Sequence, residues 1–408
     1  MPSTLPDGAP PPADGALPPG ALAEFGTRPF GIYLHVPFCT TRCGYCDFNT
    51  YTAGELGSDP GASRASWADG AIAELRLARR VLGTKDVPVS TIFVGGGTPS
   101  LLPAADLGRV VRAVRDEFGL APEVEISTEA NPESAGPAWF DGLLDAGFTR
   151  VSLGMQSARP HVLAVLDRVH TPGRPAEATA EARKAGFDHV NLDLIYGAPG
   201  ETLDDWRTSV DAAIDAGPDH VSAYALIVEE GTRLAARIRR GELPAPDDDD
   251  LADKYESADD MLTKAGFGWY EVSNWATSAA ARCRHNELYW TGGHWWGIGP
   301  GAHSHVGGTR WWNVKHPAAW AARLSSGESP AHAREVLDAE TRRVERVLLE
   351  IRLADGLDAA VLDDPGRAAA AEILADGLVD ADRYAGGRLV LTRRGRLLAD
   401  AVVRHLVG

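Results

Sequence analysis

The chain has 408 residues, with 57 acidic against 40 basic side chains and a net charge of −17. That excess of acid disfavours non-specific attraction to nucleic acid or anionic lipid, and no window approaches the roughly eighteen uninterrupted apolar residues of a membrane span. Four cysteines in a chain this long make no disulfide framework; three of them, Cys39, Cys43 and Cys46, fall together, and Cys283 stands alone.

Residues 1–28 are rich in Pro, Gly and Ala and read as a disordered leader. It lacks the basic stretch and apolar run of a secretory signal, and its first arginine is Arg28, which also argues against an organellar transit peptide. The expected compartment is the cytoplasm, where thiols stay reduced and clustered cysteines bind metal or do chemistry.

From Phe30 onward, short apolar runs alternate with amphipathic stretches. Strands are expected over Gly31–Val36, Ser90–Gly95, Val124–Thr128, Arg150–Leu153, His189–Ile195 and His220–Leu226. Helices are expected near Trp67–Leu82, Ala105–Phe118, Pro137–Asp145, Pro175–Lys184 and Asp204–Asp215. An Ala-Gly pair recurs at 146–147, 185–186, 216–217 and 265–266, each time leading into an apolar stretch, as a glycine-capped helix turning into a strand would. Repeated βα units predict an α/β fold: a TIM-type barrel, either complete or partial as (β/α)6, or else a doubly wound sheet.

The acidic run Asp247–Asp250 reads as a solvated loop before a helix. After about Trp320 the texture turns Ala/Leu/Arg-rich, with an expected hairpin at Gly387–Thr392. The expected division is therefore a leader (1–28), a barrel (29–270), a His/Trp-rich segment (271–325) and a smaller, mostly helical C-terminal domain (326–408). The helix–hairpin end of that domain is winged-helix-like in outline, but the chain's acidity argues against DNA binding.

The first expected strand runs into Cys39-x3-Cys43-x2-Cys46. Structural zinc takes four ligands, usually as two separated pairs, and no second pair is present. Three thiolates on one loop suit a 4Fe-4S cubane, which leaves its fourth iron open to a chelating small molecule. Buried thiols packing as small hydrophobes are the other alternative.

The motif resembles that of radical S-adenosylmethionine (SAM) enzymes, with Tyr45 as the aromatic before the last cysteine. In that family the open iron chelates SAM, and one electron from the cluster cleaves it to methionine and a deoxyadenosyl radical. Gly95-Gly96-Gly97-Thr98-Pro99 is by itself an ordinary tight turn, but it follows the second strand as the family's glycine-rich turn does. Glu129, Gln156, Arg168 and Asp193 fall in or after successive strands, whose C-terminal ends converge in such barrels. The set is similar to the coproporphyrinogen III oxidase-like branch. The resemblance implies SAM contacts from Tyr33, Tyr45, Gly96, Gly97, Thr98, Glu129, Gln156, Arg168, Asp193 and Ala225.

Oxygen-independent coproporphyrinogen oxidases carry a further cysteine where this chain has Phe48, and a longer structured N-terminal segment. The chain is more similar to the HemW family of heme chaperones, which shares His-Asn-x-x-Tyr-Trp, here His285-Asn286-Glu287-Leu288-Tyr289-Trp290. A second patch, Gly299-Pro300-Gly301-Ala302-His303-Ser304-His305, resembles another turn of that family. The tryptophans at 290, 295, 296, 311 and 312 offer flat apolar surface for a porphyrin, and His285, His303 or His305 an axial nitrogen. Asn286, Tyr289 and Trp290 complete the candidate heme set, with Cys283 as an alternative soft ligand. Such dense aromatics also suit a packed domain junction.

The resemblance implies heme as cargo, recipient hemoproteins and an electron donor; the net charge argues against nucleic acid, and any membrane association is expected to be peripheral, through a partner. It leaves a coproporphyrinogen dehydrogenase as the enzymatic alternative and a structural metal-binding protein as a third.

Overall fold

The computed structural model describes residues 7–57 and 61–408. Six parallel strands pair in chain order: β1 (Phe30–Val36), β2 (Val89–Gly96), β3 (Leu120–Ala130), β4 (Arg150–Gln156), β5 (His189–Tyr196) and β6 (His220–Ala225). Helices Arg64–Leu82, Ala104–Phe118, Pro137–Asp145, Arg174–Ala185 and Leu203–Asp215 connect them, matching the expected helices to within a turn. Gly147, Gly186, Gly217 and Gly266 of the Ala-Gly repeats all take positive φ, which a residue without a Cβ adopts freely.

Alternation along these strands separates two environments. Ile32, Leu34, Ile92, Val94, Val151, Leu153, Val190, Leu192 and Val221 join the buried core shared with the helices. The intervening positions are polar or aromatic: Tyr33 and His35, Thr91 and Phe93, Glu125 and Glu129, Asn191 and Asp193, His220 and Ser222. Because side chains alternate between the faces of a strand, this second set lines the concave interior of a partial barrel. It is a polar interior with one apolar wall.

The sheet continues on both sides. β7 (Gly268–Glu271) and β8 (Asn274–Ala276) add antiparallel strands beyond β6. β9 (His294–Ile298) runs parallel to β1, followed by antiparallel β10 (His303–Val306), β11 (Thr309–Asn313) and β12 (Ala331–Val336). The result is an open 12-stranded sheet whose edges are β12 and β7.

Four expectations need correction. Residues 7–28 of the leader are ordered: Ala9 pairs with Arg334, and a helix at Pro19–Glu24 buries Ala21, with Leu17 and Phe25 buried on either side. Those three apolar residues, one in the helix and one on each side of it, are what the Pro/Gly/Ala average conceals. Residues 1–6 lie outside the described residues. The acidic run is helical: Asp247 caps the helix Asp248–Lys264 by accepting the Asp250 N–H at 3.0 Å, and the next three aspartates fill the first turn, where the helix dipole favours them.

The expected hairpin at Gly387–Thr392 is not one, since Arg388–Leu389 pairs with distant Leu357–Asp358 and Leu391 bridges Val379. Its one glycine, Gly387, closes the end of the helix Ala381–Ala385 with the C-cap Gly386 instead. Finally, β12 still belongs to the main sheet, so the second core begins later than residue 326. It gathers Val347, Ile351, Leu357, Ile373, Leu389 and Val402 from short helices and a two-stranded sheet. Arg396 ties that unit to the barrel, pairing with Asp259 at 2.8 Å and lying over the Trp269 ring at 4.4 Å.

Candidate cluster and cofactor site at the open end of the barrel

β1 delivers its chain into the cysteine loop at the end of the barrel where the parallel strands terminate. The loop is stitched down along its length. Cys39 N–H donates to Tyr51 O at 3.0 Å and Tyr51 N–H to Pro37 O at 2.7 Å, closing its base. Gly44 N–H reaches Leu166 O at 3.1 Å, and Gly44 O accepts from Leu234 N–H at 2.8 Å. The three loop cysteines are half-buried and unbridged, whereas Cys283 is buried with its thiol toward Glu125. Burial pushes the Cys39 thiol up, and the Cys46 thiol up to about 11. Two donors face this sulfur group: Thr98 Oγ1–H to Cys39 Sγ and an Arg168 N–H to Cys43 Sγ, each at 3.7 Å.

The glycine turn after β2 lies against this loop. Gly97 N–H donates to Val36 O and Thr98 N–H to Phe38 O, both at 2.7 Å. A Cβ on Gly97 would stand 2.6 Å from Phe38 O, so only glycine permits the approach. Gly96 N–H holds a Glu129 carboxylate oxygen at 3.0 Å. Burial, with Asp193 nearby, raises Glu129 to about 8; burial also raises Asp193, against hydrogen bonds from Ser152 and Asn191 at 2.6 and 2.8 Å. Two desolvated carboxylates in one cavity favour a cationic ligand, whose charge would return both to the ionised form.

On β4, Gln156 is held at φ 65°, one of two described non-glycine residues with positive φ. Backbone strain of this kind, about 1–3 kcal/mol, concentrates at functional sites. Arg168 fans from Gly154 O at 3.1 Å to His170 and Cys43. Tyr33 reaches into the interior from β1, Tyr45 packs half-buried beside the loop, and Ala225 ends β6 opposite Tyr196. Of the ten residues that the resemblance nominated, Tyr45, Gly96, Gly97, Thr98, Glu129, Arg168 and Asp193 are linked to the loop or to one another, whereas Tyr33 lies deeper, against Phe93 and His285, and Ala225 is placed only by ending β6.

Sequence reasoning missed the brace behind the loop. His35 Nε2 contacts Asn49 O at 2.9 Å; since a carbonyl only accepts, the proton sits on Nε2, and Nδ1 accepts from Tyr33 O–H at 3.0 Å. Burial lowers His35 to about 4, so it stays neutral. Asn49 Nδ2 donates to Pro300 O and Lys315 O, both at 2.9 Å, binding the loop to the turn after β9. That turn hangs on Glu74, which accepts from Gly299 N–H, Asn313 Nδ2–H and Trp320 Nε1–H at 2.8, 2.6 and 2.7 Å. Glu74 was legible as a carboxylate on the apolar face of its helix, among Ala71, Leu75 and Ala78.

The His-Asn-x-x-Tyr-Trp segment lies elsewhere. It forms the helix Arg284–Trp290, packed on the interior faces of β1 and β2 as a floor. Both His285 ring nitrogens are engaged, Nδ1 with Thr91 Oγ1 and Nε2 with the Tyr289 hydroxyl, each at 2.8 Å, and its ring stacks on Phe93 at 5.3 Å. Glu125 anchors this helix by accepting Arg284 and His285 N–H at 3.2 and 3.1 Å while pairing with buried Arg150 at 3.1 Å. Cys283 directs its thiol at the same carboxylate, and Asn286 and Trp290 are half-buried on the helix. Of the nominated tryptophans, Trp296 and Trp311 pack edge to face at 4.7 Å within the helix-side core and offer no surface to a ligand.

The open end also carries apolar surface. Of seven exposed large hydrophobic residues among those described, Phe48 sits in the cysteine loop, Val169 in the segment beside Arg168 that follows the helix Pro160–Val165, and Tyr224 and Ile227 at the end of β6. Clustering of this sort marks a contact site. Phe48 also lines a small cleft with Cys46, Thr50 and Gly231.

The sequence profile of the Radical SAM superfamily matches residues 33–213. Heme chaperone HemW of Mycobacterium tuberculosis is 59% identical over 388 residues, 95% of this chain and 97% of that one. The chain belongs to the HemW family. A HemW of Synechocystis sp. is 34% identical over 354 residues, 85% of this chain and 84% of its own. The fold is similar to that of coproporphyrinogen III oxidase (HemN) from Escherichia coli, with TM-score 0.78 and 22% identity over 95% of this chain and 92% of that one.

Membership implies a 4Fe-4S cluster and SAM, and the site fits both. Three half-buried thiols rise from one braced loop, with the Arg168 guanidinium donating to the Cys43 sulfur. Among the described residues no three Cys, His, Asp or Glu side chains converge on one metal ion, which a cubane does not require because each cysteine binds a different iron. The paired buried carboxylates suit a sulfonium with an ammonium group. No helix of the structure is long and apolar enough to cross a membrane.

Proposed function

We propose that this protein is a heme chaperone that binds heme and passes it to hemoproteins, without decarboxylating coproporphyrinogen. The observation that carries the reading is 59% identity across 95% of the chain to a heme chaperone HemW. Cys39, Cys43 and Cys46 hold the cluster in this reading. Tyr33, Tyr45, Gly96, Gly97, Thr98, Glu129, Gln156, Arg168, Asp193 and Ala225 hold SAM. When bound, the cluster supplies one-electron chemistry and an open iron for SAM. The chain's own contribution is to position it: Thr98 and Arg168 donate toward cysteine sulfurs, Glu129 and Asp193 supply negative charge, and His35 with Asn49 keeps the loop in place. The exposed apolar rim supports contact with a flat apolar cargo or a recipient protein at the same end.

Phe48 supports the choice against the oxidase, since it stands exposed in the cysteine loop where a fourth thiol is expected of that enzyme. The setting we infer is the cytoplasm, with a separate electron donor and, where the recipient is membrane-bound, peripheral association through it. The test is a heme titration of anaerobically reconstituted protein paired with a coproporphyrinogen III assay. Saturable heme binding with a Soret shift and no protoporphyrinogen IX formation is expected. Turnover of coproporphyrinogen III without heme binding would reverse the assignment.

A further inference from the structure

Resting on the chaperone reading, we propose that His303, and not the histidine of the His-Asn-x-x-Tyr-Trp helix, supplies the axial nitrogen for the heme iron. The argument begins with hydrogen-bond inventory. His285 has Thr91 on one ring nitrogen and Tyr289 on the other. His305 donates from Nδ1 to Gly293 O at 3.0 Å and accepts at Nε2 from Gly308 N–H at 3.2 Å. Ligating iron through either would break a bond inside the packed floor or the β10–β11 turn.

Among the described residues, two buried histidine ring nitrogens lack any hydrogen-bond partner: His170 Nδ1 and His303 Nε2. His170 accepts from Arg168 Nε–H at its Nε2, so its one proton sits on Nδ1 and that atom has no lone pair to give. His303 carries no such constraint. A buried polar atom left unpaired is costly and calls for an explanation. Burial keeps the ring neutral, the form that binds metal, by lowering it to about 4.

The ring is also held in a fixed orientation. It stacks on Trp312 at 5.8 Å with 24° between planes, and Trp295 Nε1–H donates to the His303 carbonyl at 3.0 Å. His303 ends the turn that Glu74 suspends and that Asn49, three residues past Cys46, grips through Pro300. A heme on His303 would therefore lie at the cluster end of the barrel, joined to the cysteine loop through one short turn. Gly8 lies against the Trp312 ring, so this part of the leader must yield for a macrocycle to enter.

The experiment titrates hemin into anaerobically reconstituted full-length protein carrying His303→Gln, His303→Gly or His285→Gln, with iron content as the folding control. His303→Gln is expected to retain its iron but lose tenfold or more in heme affinity together with the histidine-ligated spectrum. His303→Gly is expected to regain that spectrum on adding free imidazole, and His285→Gln to keep it throughout. Unchanged binding in both His303 variants, with loss in His285→Gln, would overturn the assignment while leaving the chaperone reading intact. Failure of the unsubstituted protein to bind hemin would overturn both.

Discussion

The two ends of the barrel are built from the same residue types and arranged in opposite ways. At the floor, His285, Tyr289, Glu125 and Arg150 interlock: the carboxylate accepts two backbone N–H groups and an ion pair, and the imidazole is bonded on both nitrogens. At the open end, thiols are half-exposed, two desolvated carboxylates share one region with Arg168 easing the Asp193 charge, Gln156 is strained, and Phe48, Val169 and Ile227 stand exposed. Polar groups that satisfy one another have no capacity left for a ligand. Those left unsatisfied or strained at a cost are the ones that bind. A motif's chemistry is thus decided by what its atoms already touch.

The contrast breaks most sharply under substitution of the cysteines. Serine at position 39, 43 or 46 should reduce the iron of anaerobically reconstituted protein to background with the circular dichroism spectrum unchanged. Retention of the full iron complement in all three variants would remove the cluster from the loop.

The floor should respond in stability instead. Arg150→Ala strands Glu125 in the interior and should cost about 3–5 kcal/mol in denaturant unfolding. A loss under 1 kcal/mol would mean that the Glu125–Arg150 pair is not the support described. Glu74→Ala leaves three donors without their acceptor and should cost roughly 2–4 kcal/mol. Because the suspended turn grips the cysteine loop, that variant should also release iron faster to a chelator.

Acidity offers a gentler test. Burial lowers His285 to about 3 in the folded chain, below the ordinary 6.5. Between those values the unfolded chain takes up a proton that the folded chain refuses, so this residue costs stability as pH falls from 6.5 toward 3. The melting temperature of His285→Gln should therefore fall less over that window than that of the unsubstituted protein. Parallel curves would show that His285 is not buried and neutral. The smallest effect is expected from Thr98→Val, which removes the hydrogen bond to Cys39 Sγ. It should lower the cluster's reduction potential with iron content unchanged, readable by redox titration.

The sequence displayed the barrel because parallel strands buried on one face announce themselves as apolar runs, and the Ala-Gly turns punctuate them. It displayed the cysteine loop because ligand spacing is local. What stayed hidden was long-range. Nothing near His285 foretells Thr91 on its Nδ1, and nothing near Asn49 foretells Pro300, 251 positions away. The leader was misread because three apolar residues in a Pro-rich stretch carry little average hydrophobicity, yet Leu17, Ala21 and Phe25 suffice to seat a helix. The strand at Arg388–Leu389 was misread because its partner is distant in sequence.

The most direct test of the open end as one working site is electron paramagnetic resonance of the reduced, anaerobically reconstituted protein with and without SAM. A 4Fe-4S signal that changes when SAM is added is the predicted result. A protein that purifies anaerobically with zinc alone, or whose cluster signal is indifferent to SAM, would contradict it.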